Sequence, residues 1–161
     1  MSTSVTATPE IVAFANPICN AIERIMRCLD GQDTEGLNWR PPAEATNSLY
    51  VLAFHSLGSA EGFILGLLGG EQIARDRDAE FRAHGDSAEP LYARWITLQP
   101  RLRNALDAMP FNVLDQAFTH QRLGTMSGRA FLFLVAQHMA EHAGHAELTR
   151  DLLKAARASM N

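Results

Sequence analysis

The chain has little cysteine, no excess of positive charge and no long apolar run, and each shortage removes a class of protein. Its two cysteines, Cys19 and Cys28, stand nine positions apart, a spacing that matches no CxxC or zinc-ribbon pattern. On one helix they would lie about 13 Å apart along the axis at 1.5 Å per residue, beyond disulfide reach. Two free thiols fit a reducing cytoplasm. A formal net charge of −4 and a pI near 5.8 argue against a phosphate-binding surface spread over the molecule, and so against a nucleic-acid partner. The longest apolar stretches, Phe63 to Leu68 and Phe131 to Ala136, are too short to span a bilayer. The Ser/Thr-rich start, Met1 to Pro9, lacks the basic and apolar blocks of a signal peptide. The expectation is a cytoplasmic protein with no membrane partner.

At 161 residues, with 47% hydrophobic and 20% charged residues, the chain fits one globular domain spanning 1–161 with one sizeable core. Four long helical patterns appear, which predicts an all-α four-helix bundle. The first runs from Pro9 to Leu29, with Ile11, Phe14, Ile18, Ile22, Ile25 and Met26 as its stripe. A connector with Trp39-Arg40-Pro41-Pro42 follows, where two prolines block helix. The second helix opens at Thr46, Asn47 or Ser48, all suitable N-caps, and runs to Leu68 before Gly69-Gly70. It places Leu52, His55, Ser59, Gly62, Phe63 and Leu67 on one side, and its small residues Ser59, Ala60 and Gly62 leave room for close packing or a cavity. Arg75 to Arg82 reads as a short exposed helix, and His84-Gly85-Asp86-Ser87 as a break. The third long helix covers Ala88 to Met109, with Pro100 inside it predicting a kink or a split. Pro110 to Thr125 reads as a longer connection, partly extended. The last helix spans Ser127 to Ala158, with Phe131, Leu134, Val135, His138, His142, His145, Thr149 and Leu152 along one side.

That last stripe carries the strongest signal in the chain. Spacings of four and three put His138, His142 and His145 on one side of a helix. Three imidazoles on an apolar stripe without partners would leave buried nitrogens unsatisfied, at a cost of several kcal/mol. A metal ion satisfies the ligating nitrogens at once. His138 with His142, and His142 with His145, both have permitted spacing. The preferred pair is His138 and His142, with His145 as a pocket wall one turn on. His55, inward on the second helix, is the third ligand. Such an N₃ set leaves an open position, the arrangement of catalytic rather than structural sites. Zinc is the default ion, with nickel or iron as alternatives. Each ligand's second nitrogen calls for an acceptor, and the candidates are Glu141, Asp76, Asp115 and Glu61. His84 and His120 fall in breaks and read as exposed loop histidines.

The chain resembles the DinB-like superfamily of four-helix-bundle metalloenzymes, which includes thiol-dependent enzymes. The resemblance rests on Leu37-Asn38-Trp39-Arg40-Pro41-Pro42 followed by Asn47-Ser48 and His55, on Arg75 to Phe81, and on the His138-to-His145 run. It implies metal ligands at His55, His138 and His142. Gly144 matches the family's glycine, while His145 stands where glutamine is common, as a spare ligand or proton carrier. It also implies a homodimer and a metal-dependent enzyme, a low-molecular-weight-thiol S-transferase or isomerase acting on a small electrophile. Trp39 and Arg40 would hold the thiol cofactor, Phe63 would line the pocket, and His145 and Arg40 are the catalytic candidates. The alternative is a non-catalytic stress-response binding module with a structural or vestigial metal.

Overall fold

The fold is mostly helical, and the computed structural model describes residues 8–159. The segment read against a signal peptide therefore lies outside the described residues, except for Thr8 and Pro9. Helix α1 (Pro9–Arg27) begins where Thr8 Oγ1 accepts from the Ile11 N–H at 3.4 Å, with Pro9 in its first turn. Its predicted stripe is buried at Ile11, Ile18, Ile22, Ile25 and Met26. Cys19 and Cys28 are both free and buried, and burial pushes both thiols up from their ordinary pKa.

The connector holds a short helix not anticipated from the sequence, α2 (Thr34–Asn38), capped by Asp33. Helix α3 (Leu49–Ala60) starts from Ser48, whose hydroxyl accepts from the Val51 N–H at 3.2 Å. Beyond Ala60 the helix widens into a π-helical stretch, Glu61–Leu68. The i→i+5 bonding shifts the register of later side chains, yet Phe63 still shares the cavity face of His55 and Ser59, as the helical spacing predicts. The stretch ends at Gly70, with φ of +77°. There the Glu71 N–H reaches back to the Leu65 carbonyl at 2.9 Å, the left-handed cap that glycine permits.

Helix α4 (Arg77–Phe81) is capped by Asp76, and α5 (Glu89–Asp107) follows. Helix α5 is not split at Pro100. The carbonyl that loses its bond there belongs to Ile96, which is 71% exposed, so water can replace the missing donor. Pro17 inside α1 is accommodated as well. A 3₁₀ turn (Phe111–Leu114) then leads into an antiparallel hairpin of β1 (Ala117–His120) and β2 (Gly124–Ser127). Its register pairs Ala117 with Ser127 and His120 with Gly124. Helix α6 (Gly128–Ala158) closes the chain.

Helix α1 packs most extensively on α6. Helix α3 packs on α6, α1 and α5, and α5 also packs on α1. One apolar core joins them through Ile22, Leu57, Leu102, Phe131 and Val135. Leu49–Leu68 is long and apolar enough to cross a bilayer by length and composition, which short apolar runs in the sequence did not suggest. It is 72% buried within the fold, the burial of a core helix.

The buried side of α6 differs from the predicted stripe. It runs through Phe131, Leu132, Val135, Met139, Ala143, Ala146, Thr149 and Leu153, so Phe131, Val135 and Thr149 are buried as predicted while the other positions move. His138 and His142 flank it and are only partly buried, His145 is exposed, and Leu152 is 41% exposed. The histidines border the core and do not continue it.

Ser48 is 2% exposed and starts the helix that carries His55. Replacing Ser48 with Ala should therefore lower unfolding free energy by about 1 kcal/mol, read as a shift in urea midpoint at unchanged slope.

Candidate metal centre

Helices α3 and α6 cross so that three imidazoles meet. His55 Nε2 lies 3.1 Å from His138 Nε2, and His138 Nε2 lies 3.2 Å from His142 Nε2. One potential ligand atom from each ring lies within 4.8 Å of the others. Two nitrogens bound at about 2.0–2.1 Å to a tetrahedral ion would stand about 3.4 Å apart, so the spacing suits a shared cation.

Protonation makes the same point. His55 is 3% exposed, and its Nδ1–H donates to Glu80 Oε2 at 2.8 Å. In the neutral tautomer with its N–H on Nδ1, His55 turns the Nε2 lone pair toward the cluster. Burial, then the His55 charge, holds His138 down to about 4. Burial, then His138 and His55, holds His142 down to about 3. At neutral pH each of these rings has at most one proton to offer. A single N–H on His138 would have to serve both neighbours. His142 Nδ1 is buried without a hydrogen-bond partner among the described residues. Nitrogen atoms of three rings converging on one point match the donor set of a divalent ion.

The carboxylate behind His55 is Glu80, which is not among the four sequence candidates. It is 4% exposed, although it belongs to the charged run read as solvated. Arg75 grips it in a fork, Nε to Oε1 at 2.8 Å and Nη2 to Oε2 at 2.9 Å. Burial alone would raise the Glu80 carboxyl. Hydrogen bonds from His55 and Arg75 outweigh it and hold the group below the ordinary carboxylate range. Asp76 caps the N-terminus of α4, accepting from the Ala79 N–H at 2.9 Å. Glu61 pairs with Arg94 and Arg101, and Asp115 with Arg129. Glu141 lines the adjacent cavity and accepts from Gln137 at 3.1 Å.

The small residues of the second helix explain how Glu80 arrives. A Cβ on Gly58 would overlap Glu80 Oε1, and one on Gly62 would press on Arg75 Cδ at 3.2 Å. The room beside this face is filled by the Arg75–Glu80 pair, and Ser59 opens onto the cavity. The proline-rich connector holds α4 in place from the other side. Asn38 donates to the Gly85 carbonyl at 2.7 Å and accepts from its N–H at 3.1 Å. Arg40 donates to the carbonyls of Thr46 and Phe81 at 3.2 and 3.3 Å.

A cavity of about 680 Å³ opens beside the triad, lined by His55, His138, Ser59 and Phe63 and by the hairpin. Trp39 and Arg40 do not line it, because their connector lies behind α4, where Arg40 is tied to main-chain carbonyls. His145 does not line it either; its ring centroid is 5.9 Å from that of His142. His84 is exposed, as expected, but His120 is not a loop residue. It ends β1, stacks on Phe63 at 5.1 Å and lines the cavity. Burial, then Arg75 and Arg122, lowers its pKa. The alternation through Thr119-His120 and the turn glycine Gly124, with φ of +78°, are the sequence signals that mark the hairpin.

Known proteins give this geometry its context. A family model for the DinB superfamily matches residues 20–146. No curated protein matches the chain. A conserved protein from Enterococcus faecalis superposes with a TM-score of 0.69 at 15% identity, covering 88% of this chain and 95% of its own. A DinB-like protein from Bacillus cereus gives 0.68 at 19% identity, covering 94% and 95%. A DinB-like protein from Bacillus subtilis gives 0.54 at 18% identity, covering 89% and 91%. These likenesses establish a shared fold.

The depressed histidines set a pH dependence for the metal-free protein. Between about pH 6.5 and the folded values near 4 and 3, the unfolded chain binds more protons, so stability falls as pH falls. Urea midpoints of chelator-treated protein should drop between pH 7 and pH 5, by an amount of order 1 kcal/mol per histidine. The double variant His138→Ala/His142→Ala should show a flatter profile over that window.

Proposed function

The chain belongs to the DinB superfamily, and on that footing we propose that it is a divalent-metal-dependent enzyme whose ion is held by His55, His138 and His142. The observation that carries this reading is the meeting of three ring nitrogens at the edge of an open cavity. Zinc suits three imidazoles best, with nickel or iron as alternatives. When bound, such an ion supplies Lewis acidity, which lowers the pKa of a coordinated thiol or water towards neutrality.

The residues around it have separable tasks. Glu80 accepts the His55 Nδ1 proton and so directs the Nε2 lone pair into the cluster. Arg75 keeps Glu80 ionised and fixed. Phe63, Leu123 and Leu134 give the cavity apolar walls that limit water around a bound reactant. Within this class we favour transfer or isomerisation on a small electrophile with a low-molecular-weight thiol as nucleophile. The non-catalytic alternative calls for a closed fourth position. His145 is the only further histidine on that side of α6, and it is exposed, which favours the open site.

Protein purified without chelator should carry about one first-row metal ion per chain by elemental analysis, and His138→Ala or His142→Ala should remove it while His84→Ala does not. Full metal content in both α6 variants would overturn the proposal. Replacing Glu80 with Gln should weaken metal affinity by about 10–100-fold in a competition titration, with the fold retained by circular dichroism. Gly58→Ala should act in the same direction, because its methyl group displaces Glu80.

A further inference from the structure

We propose that the cavity beside the triad contains an anion subsite, formed by Arg77 and Arg122, that binds the carboxylate of a small organic acid with an apolar body. This deepens the reading of the triad as the reacting end of the cavity by naming the class of molecule that enters it.

The charge distribution is the first support. The chain as a whole carries −4, yet the cavity is lined by Arg75, Arg77 and Arg122 against a single carboxylate, Glu141. Arg75 is already paired with Glu80. Neither Arg77 nor Arg122 has an ion-pair partner among the described residues; the same holds for Arg27, Arg40, Arg82 and Arg103, but of these six arginines Arg77 and Arg122 alone line the cavity. A concave, partly apolar wall lowers the local dielectric, so two guanidiniums facing it attract an anion more strongly than they would on an open surface.

The placement of each guanidinium is the second support. Arg77 Cζ sits 4.6 Å from the centroid of Phe81, and the Phe81 ring sits 4.5 Å from that of His55. Stacking fixes the cation while leaving its in-plane N–H donors free for a planar acceptor. It also links Arg77 through Phe81 to a residue of the triad, the Phe81 and His55 rings being tilted by 40°. Arg122 comes from the hairpin. It lies in the tight connection between β1 and β2, where its own N–H donates to His120 Nδ1 at 3.2 Å and the Leu123 N–H bonds to the His120 carbonyl at 3.2 Å. These bonds shape the turn, and Arg122 lines the cavity from it.

The remaining lining selects the ligand. Phe63, Leu123 and Leu134 give the cavity apolar surface beside the arginines and the triad. A bare inorganic anion would leave that surface wet, whereas an organic acid would cover it. The cavity volume of about 680 Å³ falls in the range of sites for small molecules. A carboxylate has the planar two-oxygen edge that a guanidinium fork matches.

The test is a calorimetric titration at fixed low ionic strength with three probes: benzoate, its neutral analogue benzamide, and inorganic phosphate. The proteins are the full chain as purified, the double variant Arg77→Gln/Arg122→Gln, and His138→Ala, each assayed for metal content. The subsite predicts saturable benzoate binding, with benzamide and phosphate at least about tenfold weaker. It predicts at least about tenfold loss of benzoate affinity in the double variant, with metal content and melting temperature unchanged because both arginines are exposed. His138→Ala should retain benzoate binding within a few-fold. Equal binding of benzamide, tighter binding of phosphate, or undiminished benzoate binding in the double variant would each overturn the subsite. So would benzoate binding that vanishes in His138→Ala yet survives in the double variant, since the carboxylate would then sit on the ion. Metal content unchanged in His138→Ala would sink the triad reading alone, leaving the arginine subsite to stand or fall on the benzoate titrations.

Discussion

A buried ionic relay, Arg75 to Glu80 to His55, is the constraint from which the site follows. A carboxylate placed under 5% exposure is costly unless its charge is compensated and its oxygens are hydrogen-bonded. Here both conditions hold, with a two-point arginine fork on one side and an imidazole N–H on the other. The consequence is directional. A neutral His55 with its proton at Nδ1 turns a lone pair at Nε2 toward α6. Everything on α6 then answers that lone pair. The local sequence supports the relay at each contact: Gly58 for clearance, Asp76 to start α4, and Asn38 and Arg40 to anchor it from behind.

The second constraint is where the histidines sit on α6. Fully core-facing rings would be dry but closed to reactants. Fully exposed rings would protonate near their ordinary pKa and lose the ion in mild acid. His138 and His142 occupy the border, beside the buried line of Met139, Ala143 and Ala146. That position keeps the rings neutral over a wide pH range and still leaves a route to them from the cavity. The π-helical stretch and the hairpin complete the enclosure, bringing Phe63 and His120 into contact across the cavity wall.

Much of this was legible in the sequence, and the failures have physical causes. Helical periodicity located the four long helices, and i, i+4 spacing located the α6 pair. Facing alone brought His55 into the set. Glu80 was missed because a run such as Arg75-Asp76-Arg77-Asp78-Ala79-Glu80 looks solvated by composition. Its burial depends on Gly58, more than twenty residues earlier, a tertiary relation that no local pattern encodes. His120 was missed because a four-residue strand leaves too short an alternation to stand out from loop. Trp39 and Arg40, expected to hold a thiol cofactor, lie off the cavity because the connector's path behind α4 is set by long-range bonds to Gly85 and Phe81. The buried line of α6 keeps Phe131, Val135 and Thr149 but passes one position beyond the histidines; Leu134 faces the cavity and Leu152 is exposed, so apolar character alone does not mark the core there.

The central claim is that three imidazole nitrogens share one metal ion at the cavity edge. Anomalous diffraction collected on either side of the metal absorption edge tests it most directly. The account predicts a single strong peak per chain, about 2.0–2.1 Å from the Nε2 atoms of His55, His138 and His142, with its remaining coordination facing the cavity. A peak located elsewhere, or one ligated by only two of the three rings in metal-saturated crystals, would contradict it.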